Sequence, residues 1–146
     1  MDYQAELLAP VGVAALYPWV ADLGRYPDWL DLVAEAEREA EGTAPEHAWA
    51  VRLTARLGPF RRSKRLRMVR TIAEEPTRVV FERREADGRD HAMWRLSASL
   101  QDHAEGCRLT MGLFYGGKLW APPLESLLRD QVEAGRERLV ALVAGS

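Results

Sequence analysis

The chain has 146 residues, 47% of them hydrophobic and 29% charged, with a formal net charge of -2 at pH 7. Such a chain is expected to form a single domain over residues 1–146, large enough to bury a core and a cavity, and without a global attraction to phosphates or anionic lipid. Cys107 is the single cysteine, which excludes an intramolecular disulfide. With no basic run ahead of an apolar stretch at the start and no long apolar span, the expected setting is the cytoplasm, with no integral membrane segment.

Residues 2–9, DYQAELLA, place Tyr3, Ala5 and Leu7 on one side, the alternation of a strand. From Val11 to Asp22, Val13, Leu16, Tyr17 and Val20 fall at helical spacing. Pro18 sits inside that segment and predicts a bend or an early end, because it removes a backbone donor. Gly24 then interrupts, and RYPDWL (25–30) makes a second short helical piece. In VAEAEREAEG (33–42) the glutamates 35, 37, 39 and 41 recur at every second residue, a strand period that leaves no apolar stripe for a helix.

Residues 47–58 alternate clearly, with Trp49, Val51, Leu53, Ala55 and Leu57 on one face and Arg52, Thr54 and Arg56 on the other. Gly58-Pro59 is a turn. The next strand puts Leu66, Met68, Arg70 and Ile72 on one face and Arg65, Arg67, Val69 and Thr71 on the other. RVVFERREA (78–86) is a strand, Asp87-Gly88 a hairpin signal, and HAMWRLSASLQD (91–102) a strand with Trp94, Leu96, Ala98 and Leu100 inward. Cys107, Leu109, Met111, Leu113 and Tyr115 alternate likewise. From Pro122 to about Val143 an amphipathic helix of about 30 Å carries the stripe Leu124, Leu127, Leu128, Val132, Leu139, Leu142 and Val143. The sum is α+β: a seven-stranded antiparallel sheet, two short helices between its first two strands, and one long C-terminal helix covering the apolar face.

This layout resembles the START/Bet v 1-like (SRPBCC) superfamily, in particular its polyketide cyclase/dehydrase-like group. The residues that carry the likeness are Ala9-Pro10 after the first strand, Asp22 at the close of the first helix, Tyr26-Pro27 followed by Trp29, and the run CRLTMGLFYGGKLWAPPLESLL. Pro18 is a departure from that pattern. The resemblance implies a helix-grip fold, a curved sheet wrapped around the C-terminal helix, with a cavity between them that often holds a hydrophobic ligand. Its members include lipid carriers, hormone and quinone binders and aromatase/cyclases, so the fold alone does not choose a function.

Within the basic run, Arg65 and Arg67, like Arg52 and Arg56 on the preceding strand, are expected to lie on a wet face between acidic ladders, Glu35 to Glu41 on one side and Glu82 on the other, which argues against nucleic acid; Arg62 and Lys64 have the parity of Arg70. Arg70 shares the apolar face, as does Arg83 in one of two registers. A guanidinium there must find a partner or reach water. It either pairs within the protein or orients an anionic or carbonyl-bearing ligand. Gly135 in the long helix suggests close approach of the sheet, or room for a ligand with Gln131 supplying a hydrogen bond. Of the five tryptophans, at 19, 29, 49, 94 and 120, Trp49 and Trp94 point inward. The candidate ligand-binding set is Trp49, Leu53, Met68, Arg70, Phe81, Trp94, Met111, Tyr115, Gln131 and Gly135.

Catalytic signatures are weak. His47, His91 and His103 have no metal-ligand spacing, no cofactor fingerprint is present, and Cys107 reads as a small core residue. The favoured expectation is binding of a small hydrophobic molecule, such as a lipid, polyketide or isoprenoid-like compound, by a monomer or homodimer without a cofactor. The second is an aromatase/cyclase-like enzyme using Arg70 or Tyr115 on a carbonyl-rich substrate. The third is a protein-interaction module with a filled core.

Overall fold

The computed structural model describes residues 2–40, 47–57, 59–117 and 121–146, with the side chains of 57 and 121–123 left aside. Glu41, Gly58 and Trp120 of the sequence reading lie outside the described residues. Strands β1 (Asp2–Ala9), β2 (Val33–Arg38), β3 (Ala48–Leu57), β4 (Phe60–Glu74), β5 (Arg78–Arg83), β6 (Trp94–His103) and β7 (Gly106–Tyr115) form one antiparallel sheet in the order β1-β7-β6-β5-β4-β3-β2. Between β1 and β2 run an α-helix, α1 (Val13–Ala21), and a 3-10 turn of helix, Leu23–Asp28. The chain ends in α2 (Ala121–Ala144), which packs across β1 and β7 and against α1. This is the antiparallel sheet covered by a long helix that the alternation and the terminal amphipathic stripe predict, in the helix-grip arrangement that the resemblance implies.

The alternation is obeyed wherever one face is buried. Tyr3, Ala5, Leu7 and Ala9 of β1 point inward, as do Trp49, Val51, Leu53 and Ala55 of β3 and Cys107 to Tyr115 at odd positions of β7. Leu124, Leu128, Val132, Leu139 and Val143 of α2 close over them. A period of two on the sheet and of 3.6 on the helix brings both apolar faces into one core.

Four local expectations are corrected. Asp22 accepts a hydrogen bond from the Gly24 amide at 2.8 Å, so the second helical piece starts at Leu23 instead of at 25. Helix α1 runs through Pro18 to Ala21. Proline removes the bond to the carbonyl four residues back, and Ala14 is exposed, so water can serve that carbonyl. A bulge between Arg70 and Ile72 sets Arg70 opposite Phe81 but Ile72 opposite Val80, which turns Ile72 to the outer face, away from Met68. Finally, β5 stops at Arg83 and β6 starts at Trp94, so Asp87-Gly88 lies within a longer connection and not in a tight hairpin. There the Asp87 carboxylate accepts from the Arg89 amide at 3.0 Å and meets His91 at 2.9 Å, which builds a local turn inside the connection.

Candidate functional site

The interior below the 3-10 segment is an aromatic cluster. Tyr26 lies 5.3 Å from Trp29 and 6.0 Å from Phe81, and Phe81 lies 5.5 Å edge-on from Trp49, all as ring centroids. Tyr26 is fully buried and donates its hydroxyl to the Val20 carbonyl at 2.8 Å, tying the 3-10 segment to α1. Burial, reinforced by the Asp22 carboxylate, pushes the Tyr26 phenol far above the ordinary tyrosine range. A phenol whose folded-state value is raised leaves stability intact below the unfolded value and removes it as pH rises. Stability is therefore expected to be flat below about pH 10 and to fall above it by up to about 1.4 kcal/mol per pH unit. Urea unfolding across that range is the check, with a shallower fall in Tyr26→Phe; a curve that stays flat in alkali would contradict the burial of this hydroxyl.

The indole N–H groups of Trp29 and Trp49 are buried in this cluster and have no hydrogen-bond partner among the described residues. Met68 and Leu53 complete the inner faces of β4 and β3 beside it. Trp94 and Tyr115 form a second group on β6 and β7, tilted at 35° with centroids 4.4 Å apart, and Met111 is buried farther along β7, opposite Ala98. The candidate residues therefore share the inner face, as expected from their parity, but divide between two regions.

Arg70 donates to the Ala21 carbonyl at 2.8 Å. Ala21 is the last residue of α1, so the guanidinium caps the negative end of that helix dipole. Its charge also lowers the Tyr17 phenol, which burial otherwise raises. Arg83 takes the inward register, opposite Met68, and pairs with Glu85 at 2.9 Å while donating to the Ala92 carbonyl at 3.3 Å. Gly135 does make a close approach, but the neighbour is not the sheet. A Cβ at 135 would run into the Trp29 carbonyl oxygen.

On the outer face, Arg52 pairs with Glu35 at 3.1 Å and Arg67 with Glu39 through two bonds of 2.8 and 3.2 Å. That is the expected ion-paired ladder. Glu82 departs from it: its carboxylate accepts from the Thr71 hydroxyl at 2.9 Å, and among the described residues no arginine pairs with it. His47 meets Arg38, His91 meets Asp87, and His103 accepts from the Glu105 amide at 3.1 Å. Among the described residues no cluster of potential metal ligands forms, and no helix is long and apolar enough to cross a membrane. Burial raises the Cys107 thiol, as befits a core position.

A pocket of about 390 Å³ opens at one edge of the sheet. Its walls are Pro27 and Asp31 around the end of the 3-10 segment, Val33 and Ala34 of β2, Thr54, Ala55 and Arg56 of β3, Arg61 of β4, and Gln131 of α2. A local irregularity makes the space. Pairing of β2 with β3 begins at Val33 opposite Leu53, with a bulge before Glu35, so β3 beyond Thr54 has no strand beside it there. Gln131 Oε1 and Thr54 Oγ1 are both buried without a partner among the described residues. Of the ten residues expected from sequence, Gln131 lines this pocket. Thr54, Arg56 and Arg61 escaped because they sit on the face assigned to solvent. The one available signal was the placement of Arg56 and Arg61 on either side of the turn at 58–59.

No protein-family model and no curated protein matches the sequence. Solved structures do match, along nearly the whole chain. TTHA0849 from Thermus thermophilus is 20% identical, with a TM-score of 0.70 over 99% of this chain and 98% of that one. Ara h 8.0201 is 16% identical, with a TM-score of 0.62 over 100% and 99%. StfQ, a di-domain ARO/CYC from the steffimycin biosynthetic pathway, is 15% identical, with a TM-score of 0.61 over 99% of this chain and 49% of its own. The chain thus has the helix-grip fold of these structures.

Proposed function

We propose that this chain binds a small, mostly hydrophobic molecule between the sheet and α2, admitted at the mouth beside Gln131. The observation that carries the reading is the pair of polar atoms buried in the wall of that mouth without partners among the described residues, Thr54 Oγ1 and Gln131 Oε1; the indole N–H groups of Trp29 and Trp49, in the aromatic cluster, are buried unpartnered likewise. Buried polar groups are normally paired, and each orphan costs about 1–3 kcal/mol. A guest with one or two oxygen atoms and an apolar body would satisfy several of them while burying its own surface at about 25 cal/mol per Å², less the losses of association. The pocket volume falls within the usual range for ligand sites of about 300–1,000 Å³.

The test uses Nile red, a neutral apolar dye. Saturable binding of one dye per chain, displaced by dodecanol, is expected. Gln131→Trp places a bulky ring in the mouth and should weaken the dye by about tenfold or more, equivalent to about 1.4 kcal/mol, with an unchanged unfolding midpoint. A molecule that co-purifies in native mass spectrometry would support the same reading. Dye that never saturates, or that ignores Gln131→Trp, would sink it and leave the protein-interaction module.

The likeness to StfQ favours a second reading, a cyclase-like enzyme acting on a carbonyl-rich substrate. Arg70 and Tyr115 lie on strands three places apart, about 14 Å by strand spacing. They would therefore meet different parts of a long substrate and not one carbonyl. Turnover of a carbonyl substrate that is lost in Tyr115→Phe would establish this alternative.

A further inference from the structure

We infer that the edge pocket recognises an anionic head group, a carboxylate or a phosphate ester, on the guest that the fold encloses. This rests on the ligand-binding reading above and names the chemistry of the guest's polar end.

Arg56 and Arg61 are directly opposite one another in the β3–β4 ladder, and both line the pocket. Like charges in that position repel and weaken the sheet. Elsewhere on the same strands the repulsion is relieved: Arg52 opposes Arg65, and Glu35 bonds Arg52 while feeling the charge of Arg65. Among the described residues no carboxylate pairs with Arg56 or Arg61. The acid in the pocket wall, Asp31, is engaged by Arg138 at 3.0 Å, so it does not neutralise them. The pocket therefore carries two positive charges facing one concave space.

The neutral groups of the wall suit the same guest. The Thr54 hydroxyl, buried and without a partner among the described residues, can donate to an anionic oxygen. The Gln131 carboxamide, likewise buried at its oxygen, offers its NH2 to an anion after a half-turn, or its oxygen to a hydroxyl beside the charge. Arginine is well suited to such a head, since its planar fork matches carboxylate and phosphate oxygens. Val33, Ala34, Ala55 and Pro27 form the apolar remainder of the wall, toward which the body of an amphiphile would lie.

The experiment compares dodecanoate, dodecyl phosphate and dodecanol as competitors of Nile red. At low salt the wild-type protein should bind one or both anions at least about tenfold more tightly than the alcohol, and the margin should shrink as salt screens the charges. The better of the two anions identifies the head. In the double variant Arg56→Gln with Arg61→Gln the anions should fall to within about threefold of dodecanol, while dodecanol itself is unchanged. Arg89→Gln alters an exposed arginine outside the pocket and should leave the preference intact. Both altered residues are exposed and repel each other, so the double variant should fold; its circular dichroism and unfolding midpoint confirm that. Equal affinity of all three amphiphiles for the wild type would overturn the anionic head and leave ligand binding standing. A preference that survives the double variant would overturn the assignment to this pocket. Failure of all three to displace a saturably bound dye overturns it too, and failure of the dye to bind removes both proposals.

Discussion

Replacing Glu85 with alanine is expected to destabilise the protein by about 3 kcal/mol, read as a lower urea midpoint at an unchanged slope. The reason is the charge it would strand. The Arg83 side chain is 5% exposed and that of Glu85 20%. Arg83 lies on the inward face opposite Met68, and its Nε–H donates to the Glu85 carboxylate at 2.9 Å. Removing one partner of a buried pair costs about 3–5 kcal/mol, and the residual exposure of Glu85 places this case at the low end. Glu85 also accepts from the Arg67 backbone amide at 3.1 Å, so its loss loosens β4 as well. Exchanging both partners for apolar residues, Arg83→Met with Glu85→Leu, should recover at least half of the loss, because no uncompensated charge is left inside. A single variant within about 1 kcal/mol of the wild type would show that Arg83 reaches water by another path.

The second large effect concerns Gly135. Alanine at a helix interior is normally better than glycine by about 1 kcal/mol, so propensity alone predicts that Gly135→Ala stabilises. The contact predicts the opposite. The added Cβ meets the Trp29 carbonyl oxygen, with the indole ring 3.2 Å away. A backbone oxygen has no alternative rotamer, so the helix itself must move outward. Overpacking of this kind costs about 1–3 kcal/mol, and against the propensity gain a net loss of about 1–2 kcal/mol is expected. The exposed neighbour supplies the control: Ala134→Gly should also destabilise, by about 1 kcal/mol, for the ordinary helical reason. Adjacent positions would then each reject the residue favoured at the other. Stabilisation by Gly135→Ala would mean that α2 is free to slide over the 3-10 segment.

How much of this was legible in the residues depends on the range of the interaction. Alternation is local, so β1, β3, β6 and β7 were readable from the spacing of Tyr3, Trp49, Trp94 and Met111 and their neighbours. The amphipathic stripe of α2 was readable for the same reason. Bulges are set by what the neighbouring strand and the helices require, and so Ile72 was placed on the wrong face although Arg70 was placed on the right one. Gly135 announced a close approach, but its partner is a carbonyl that any residue at position 29 would supply, and no side-chain pattern marks that. Arg70 was recognised as an inward cation needing a partner. The partner is the end of α1, and a backbone carbonyl leaves no trace in the sequence. The edge pocket was the least legible element. It exists because β2 is offset from β3 by a bulge, and Thr54, Arg56 and Arg61 have the pattern of ordinary wet residues.

The order of the strands has a kinetic consequence. β1 closes the sheet against β7, with Asp2 opposite Phe114 and Ala9 opposite Cys107, whereas β2 through β6 each pair with the strand next in sequence. Closing a loop of that length sacrifices chain entropy before any ladder bond offsets it. On a ribosome β1 is therefore obliged to wait, with Tyr3, Ala5 and Leu7 uncovered, until β7 has been synthesised. During that interval the apolar side of β1 lacks the neighbour that later covers its edge, and shielding it from other chains falls to whatever surrounds the nascent polypeptide.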